Sequence, residues 1–125
     1  MSVYSSKEAV LDYSGVQPAD LGVSEEELNT LIESWLNQVK SLIDEDRNRD
    51  FNEEGEVPAL VHNVAMRMAS NMVGYAQLRR ETRLIRVGEW DVRIVPDVVM
   101  TDDVKKDLRK IPKKRRFRMA VAKHV

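Results

Sequence analysis

Residues 24–47 read SEEELNTLIESWLNQVKSLIDEDR, and this stretch decides the fold. Ser24 is a helix-capping hydroxyl, and Glu27 stands three residues on, where its carboxylate reaches back to the cap amide. Glu25, Glu26 and Glu27 place three acids at the positive end of the helix dipole. Behind them, Leu28, Leu31, Ile32, Trp35, Leu36, Val39, Leu42 and Ile43 advance in steps of three and one. Those steps keep side chains on one face of an α-helix. Glu33, Asn37, Gln38, Lys40 and Ser41 take the other side. The spacing predicts a helix over 25–47, roughly 34 Å long at the usual rise per residue.

The polar, acidic run from Asp44 to Glu56 holds one large apolar residue, Phe51, and a breaker, Gly55; it reads as a loop. Pro58 then sits near the first turn of a second helix, where a missing amide costs little. Leu60, Val61, Val64, Ala65, Met68, Ala69, Met72, Val73 and Ala76 form its apolar stripe, to about Arg80. The alanines let another helix approach closely, and the methionines fill irregular gaps. Upstream, Ser5-Ser6-Lys7-Glu8 reads as a capping box with Ser5 as the cap, opening a short helix through Tyr13. Gly15 and Pro18 end it, and 14–23 reads as a loop.

Past Arg80 the period changes. Residues 83–95 alternate, are rich in β-branched side chains and centre on Gly88-Glu89, which fits a β-hairpin or extended arm. Such a ribbon is marginal alone and is steadied by a partner. Pro96 ends it. Thr101-Asp102-Asp103 opens a short helix to about Lys110, acids first and bases last, and Pro112 stops it. The expected fold is mainly α: an antiparallel long-helix hairpin with a short N-terminal helix, an arm and a short C-terminal helix. Residues 1–82 are the helical core; 83–125 are an assembly segment, its basic end from Lys113 expected to be mobile in the isolated chain.

The net charge of −1 hides a division. Residues 1–56 carry 14 acids and 4 bases, and residues 57–125 carry 7 acids and 16 bases. That polarity suits a partner of defined charge, or copies meeting acidic face to basic face. The plainer reading is a solvated helix followed by a solvated basic tail. The chain has no cysteine, which removes disulfides and thiolate metal sites. No window approaches the roughly 18 apolar residues of a membrane span, and no signal peptide opens the chain, so a soluble intracellular product is expected.

Chemistry finds little to work with. The two histidines, His62 and His124, are far apart, and His62 reads as a helix-surface residue. No Gly-rich phosphate loop or metalloprotease motif occurs. The acids Asp44, Asp46, Asp50 and Glu53 lack the glycine and glutamate positions of a calcium-binding loop. No cofactor, metal or catalytic residue is expected. Trp35 belongs to the apolar stripe. Trp90, on the arm, is a candidate anchor in a partner's pocket. Lys113, Lys114, Arg115, Arg116, Phe117 and Arg118 are the candidate contacts to an acidic protein or to phosphates. Glu26 and Glu33 on one copy, facing Arg67, Arg79, Arg80 or Arg83 on the next, are the candidate subunit interface.

The order of these features resembles the head–tail connector proteins of long-tailed phages, also called head completion or adaptor proteins. The resemblance rests on the capped helix from Ser5, the helix opened by Ser24-Glu25-Glu26-Glu27-Leu28 and ending near Ile43-Asp44, the turn containing Arg49 and Phe51, and Val57-Pro58-Ala59-Leu60 opening an alanine-rich helix. It covers about residues 3–80; the arm beyond does not align, and Trp35 stands where such proteins often have a small residue. It implies a non-enzymatic subunit of a twelve-fold ring at the head–tail junction of a virion, made in the host cytoplasm. Its implied partners are the portal, a tail-side stopper or completion protein, and DNA in the channel. The rival readings are a small nucleic-acid-binding or DNA-packaging accessory protein and a helical regulatory domain.

Overall fold

A computed structural model describes the chain over residues 3–81 and 93–113. In order, its elements are α1 (Lys7–Ser14), α2 (Pro18–Leu21), α3 (Glu25–Arg47), α4 (Ala59–Glu81), α5 (Pro96–Val99) and α6 (Asp102–Leu108). The long helices fall where periodicity puts them. Glu27 N–H donates to Ser24 Oγ at 3.1 Å and Ser24 N–H donates to Glu27 Oε1 at 2.9 Å, so the α3 capping box is complete. Asn48 closes α3 in the left-handed region at φ 53°, with its N–H on the Asp44 carbonyl. At the start of α4 the Pro58 carbonyl accepts from the Val61 and His62 amides.

The core sits around α4, which packs against each of the other five helices. Val61, Val64, Ala65, Met68, Ala69, Met72, Val73 and Ala76 are all buried on it. The small residues let neighbours close in on several sides, and Met68 and Met72 fill the gaps. From α3 come Leu28, Leu31, Ile32, Trp35, Leu36, Val39 and Ile43; Leu42 is only half-buried, at the margin of the stripe. Trp35 is fully buried, and its indole N–H has no hydrogen-bond partner among the described residues.

Several local features depart from the sequence reading. The α1 cap is Ser6, not Ser5: Ala9 N–H donates to Ser6 Oγ at 3.1 Å. The one-residue shift accompanies burial of Tyr4 ahead of the helix and of Val10 within it, while Tyr13 is exposed. The loop over 14–23 contains α2, because Gln17 and Asp20 form a capping box around Pro18, whose ring favours a first helical position. Leu21 from that turn is fully buried. Pro96, read as a terminator, begins α5 for the same reason. Lys40, assigned to the solvent side of α3, is buried.

The largest departure concerns the C-terminal segment. Val99, Val104, Leu108 and Ile111 are buried in the same cluster as the long helices, and α5 and α6 pack on α4. Residues 96–111 therefore belong to the core; the cations between these apolar positions masked a four-residue inward face. The arm over 83–92, with its β-hairpin reading, and the tail from Lys114 onward lie outside the described residues. Met68→Ala and Leu31→Ala each remove a packed side chain from this core. Each is expected to cost about 2–5 kcal/mol, read as a clear fall in the thermal unfolding midpoint.

Candidate assembly surface

A buried ionic cluster fixes one end of the molecule. Lys40 Nζ lies 2.7 Å from Asp44 Oδ2 and 3.4 Å from Asp50 Oδ1, and 5.1 Å from the centre of the Tyr4 ring. Tyr4 Oη donates to Asp44 and accepts from the Phe51 amide at 3.0 Å, while its ring meets Phe51 edge-on at 5.7 Å. Burial pulls the Lys40 pKa down, and the Asp44 and Asp50 carboxylates outweigh it, leaving the ammonium more firmly protonated than usual. Burial, helped by the Asp44 carboxylate, pushes the Tyr4 phenol well above its ordinary value. The protonated phenol thus bridges the N-terminal strand of chain, the end of α3 and the loop behind it. The sequence signal for this cluster was the Lys40–Asp44 spacing, one helical turn apart beside the apolar stripe.

A run of arginines extends the cluster to the C-terminal segment. Arg49 stacks 4.7 Å over the Phe51 ring, pairs with Glu54, and donates to the Pro112 carbonyl at 2.8 Å. Arg47 donates to the Ile111 carbonyl at 3.0 Å. Ile111 and Pro112 are therefore held at the C-terminal end of α3. From α4, Arg67 bonds Asp107 of α6 at 2.6 Å and Asp103 at 2.8 Å, and Lys110 approaches Asp107 at 3.1 Å. Thr101 and Arg67 hold the Asp103 carboxyl down at about 2, and Arg67 and Lys110 hold Asp107 below the usual carboxylate range.

These contacts reassign the candidate interface. Arg67, expected to meet a neighbouring copy, is spent inside the chain clamping α6 to α4, because α6 brings two aspartates one turn apart to its guanidinium. Arg79 donates to Tyr75 Oη at 2.7 Å and lies over that ring. Glu26 is exposed; Glu33 is exposed and faces Lys7 at 3.7 Å. Lys113 is exposed. The Arg80 side chain, Arg83, Trp90, Lys114, Arg115, Arg116, Phe117 and Arg118 lie outside the described residues.

Exposed charge on α3 is of one sign, whereas α6 opens on the exposed acids Asp102 and Asp103 and continues with exposed bases. The exposed charged residues of α3 are all acidic: Glu25, Glu26, Glu27, Glu33 and Glu45. On α6 and the turn after it, Lys105, Lys106, Arg109 and Lys113 are exposed and have no ion pair among the described residues. The sequence placed the first three of these bases on a short helix; the structure packs that helix against α4. Among the described residues no helix is long and apolar enough to cross a membrane.

Two measurements probe the clusters. Tyr4→Phe leaves the Phe51 amide unanswered, at a cost of about 1–3 kcal/mol, whereas Tyr4→Ala also empties the ring's site and costs about 3–5 kcal/mol; chemical denaturation orders the two variants. The Arg67 clamp has an acid signature. Carboxyls with depressed folded pKa values stabilise fully above their ordinary range and lose that contribution as pH falls through the folded value. For Asp103 the window runs from 3.8 down to about 2. Arg67→Met is expected to flatten the fall in stability across that window, measured by urea unfolding at stepped pH.

Compared with known proteins, the chain matches no family, no curated protein and no solved structure.

Proposed function

We propose that the chain is a structural subunit of a head–tail connector ring, docking beneath a phage portal and joining the DNA-filled head to the tail. The observation that carries the reading is the uneven spread of exposed charge: acids along the outer side of α3, and bases from Lys105 onward on α6, behind Asp102 and Asp103, and in the sequence that follows it. Buried charge in this fold is consumed by its own scaffold, in the Lys40 and Arg67 clusters, and the remainder is arranged for contact with something else. The order of elements supports the same reading. A capped short helix, a capped long helix, a turn bearing Arg49 and Phe51, and an alanine-rich helix behind Pro58 follow one another as in the connector resemblance.

In this reading α3 and α4 are the antiparallel arms of a hairpin, joined by the loop over 48–58, and the ring they build is twelve-fold. The arm over 83–95 is a β-hairpin or extended element that pairs or packs on another copy, with Trp90 as its anchor. Lys113, Lys114, Arg115, Arg116, Phe117 and Arg118 dock on carboxylates of the portal. A channel that must let DNA slide gains nothing from a tight phosphate grip, so the tail serves the portal and not the DNA. The tail-side partner is a stopper or completion protein, and the assembled subunit resides in the virion.

The native mass of the purified chain tests this directly: a closed ring, visible in electron micrographs, is the expected outcome, and a chain that stays monomeric at every concentration overturns it. Removing residues 114–125 keeps both arginine contacts to Ile111 and Pro112. The shortened chain is therefore expected to keep its unfolding midpoint and to lose attachment to portal-bearing heads. Retained attachment with lost duplex-DNA affinity moves the function to nucleic-acid binding.

A further inference from the structure

We infer that the cationic face of α6, and not the arginines of α4, is the surface that receives the acidic start of α3 from a second copy of this chain. The inference rests on the ring reading above and names the contact that closes it. Val104, Leu108 and Ile111 turn one side of α6 and its following turn into the core. Lys105, Lys106, Arg109 and Lys113 are exposed around them. Arg67 clamps the helix from the inner side through Asp103 and Asp107, so these cations are presented on a fixed platform and not on a loose tail. A pre-ordered face loses less freedom on docking than a segment that must order first.

The matching surface lies at the far end of the molecule. Arg47, the last residue of α3, donates to the Ile111 carbonyl and so places the end of the α6 segment at the C-terminal end of α3. Glu25 and Glu26 stand at the other end of that helix, roughly 33 Å away along its axis. Lys113, next to the Pro112 carbonyl that Arg49 holds, is thereby kept several Debye lengths from these acids at physiological salt. Glu27 is engaged with the Ser24 amide, whereas Glu25 and Glu26 have no side-chain partner among the described residues. Acids on one helix meeting bases on another make a contact that is not self-complementary. Repeated, such a contact closes into a ring when the rotation permits.

Charge nearby also disfavours the wrong seat. Glu45, Glu53 and Glu56 are exposed around the C-terminal end of α3 and on the loop behind it. A neighbour's acidic helix start is repelled there, and on α6 it is attracted to the bases from Lys105 onward and repelled by the exposed Asp102 at the helix start. Rejection of this kind fixes register as much as attraction does. A nucleic acid also offers negative charge to α6. The second copy is favoured because its acids are paired on one helical turn, and because each copy supplies both halves of the contact.

The test is a charge-reversal exchange read by sedimentation velocity, with circular dichroism as the folding control. One variant is Lys105→Glu with Lys106→Glu; the other is Glu25→Lys with Glu26→Lys. All four positions are exposed and outside both ionic clusters, so each variant is expected to keep its helical spectrum. Each alone is expected to lose association by at least tenfold, and an equimolar mixture to recover it, since the reversed α6 of one then meets the reversed α3 of the other. Rings that form equally well in the wild type and both variants overturn this contact and leave the ring reading standing. A wild-type chain that never associates overturns the ring reading and this contact together. Loss of duplex-DNA retention by the α6 variant, with mass like the wild type, assigns the face to phosphates and overturns the contact alone.

Discussion

Everything in this fold is arranged around one helix with buried positions spread around much of its circumference. α4 must receive α1, α2, α3, α5 and α6 on different sides. A helix wrapped this way cannot carry large side chains everywhere, since neighbouring axes sit about 8–10 Å away depending on the residues between them. Ala65, Ala69 and Ala76 are buried at 1 % exposure or less and bring neighbours close, while Met68 and Met72 take up the remaining volume. The amphipathic helix is α3, which keeps a wet acidic side. The division of labour follows: α4 is scaffold, and α3 and α6 present surface.

The ionic clusters do a different job from the apolar core. A buried ammonium such as Lys40 contributes little net stability unless its partners are well placed, because desolvation offsets the attraction. What it supplies is geometry. Asp44 is fixed by both Lys40 and Tyr4, the Tyr4 phenol holds the Phe51 amide, and Phe51 carries Arg49 on its face. Arg49 then reaches Pro112. Chain separated by more than a hundred residues is thereby tied together at one corner, and Pro112 is placed by contacts that begin at Tyr4. The Arg67 clamp repeats the logic for α6, with two carboxylates held ionised on one guanidinium.

The elements legible in the sequence were those with a long period and an explicit cap. Both ends of α3 were readable, because Ser24 and Glu27 specify its start and the apolar steps stop after Ile43. α4 was readable from its stripe. The short elements were not: α2 and α5 span four residues each, too few for a period, and their signal was a proline that equally well ends a helix as begins one. Lys40 was missed because a lysine beside an apolar stripe reads as solvent-facing until its carboxylate partners, one of them ten residues away, are seen to close over it. The short helix to about Lys110 was readable from its acids first and bases last, but its cations drew attention away from Val104, Leu108 and Ile111, so its docking on the core was not.

The docking of α6 bears on how the surface works. Ten bases in a solvated tail repel one another and present no fixed pattern to a partner. Bases on a helix held by Val104, Leu108 and the Arg67 clamp keep their spacing, and the outward set is fixed by which residues face inward. The fold thus converts a compositional excess of positive charge into a surface with position and direction. The same holds for the acids: Glu25 and Glu26 are exposed at the start of α3 because Leu28, Leu31 and Ile32 point to the core. Charge segregation in the sequence becomes polarity in the molecule only because α3 runs between the two sites as a single rigid rod, and α4 holds that rod in place.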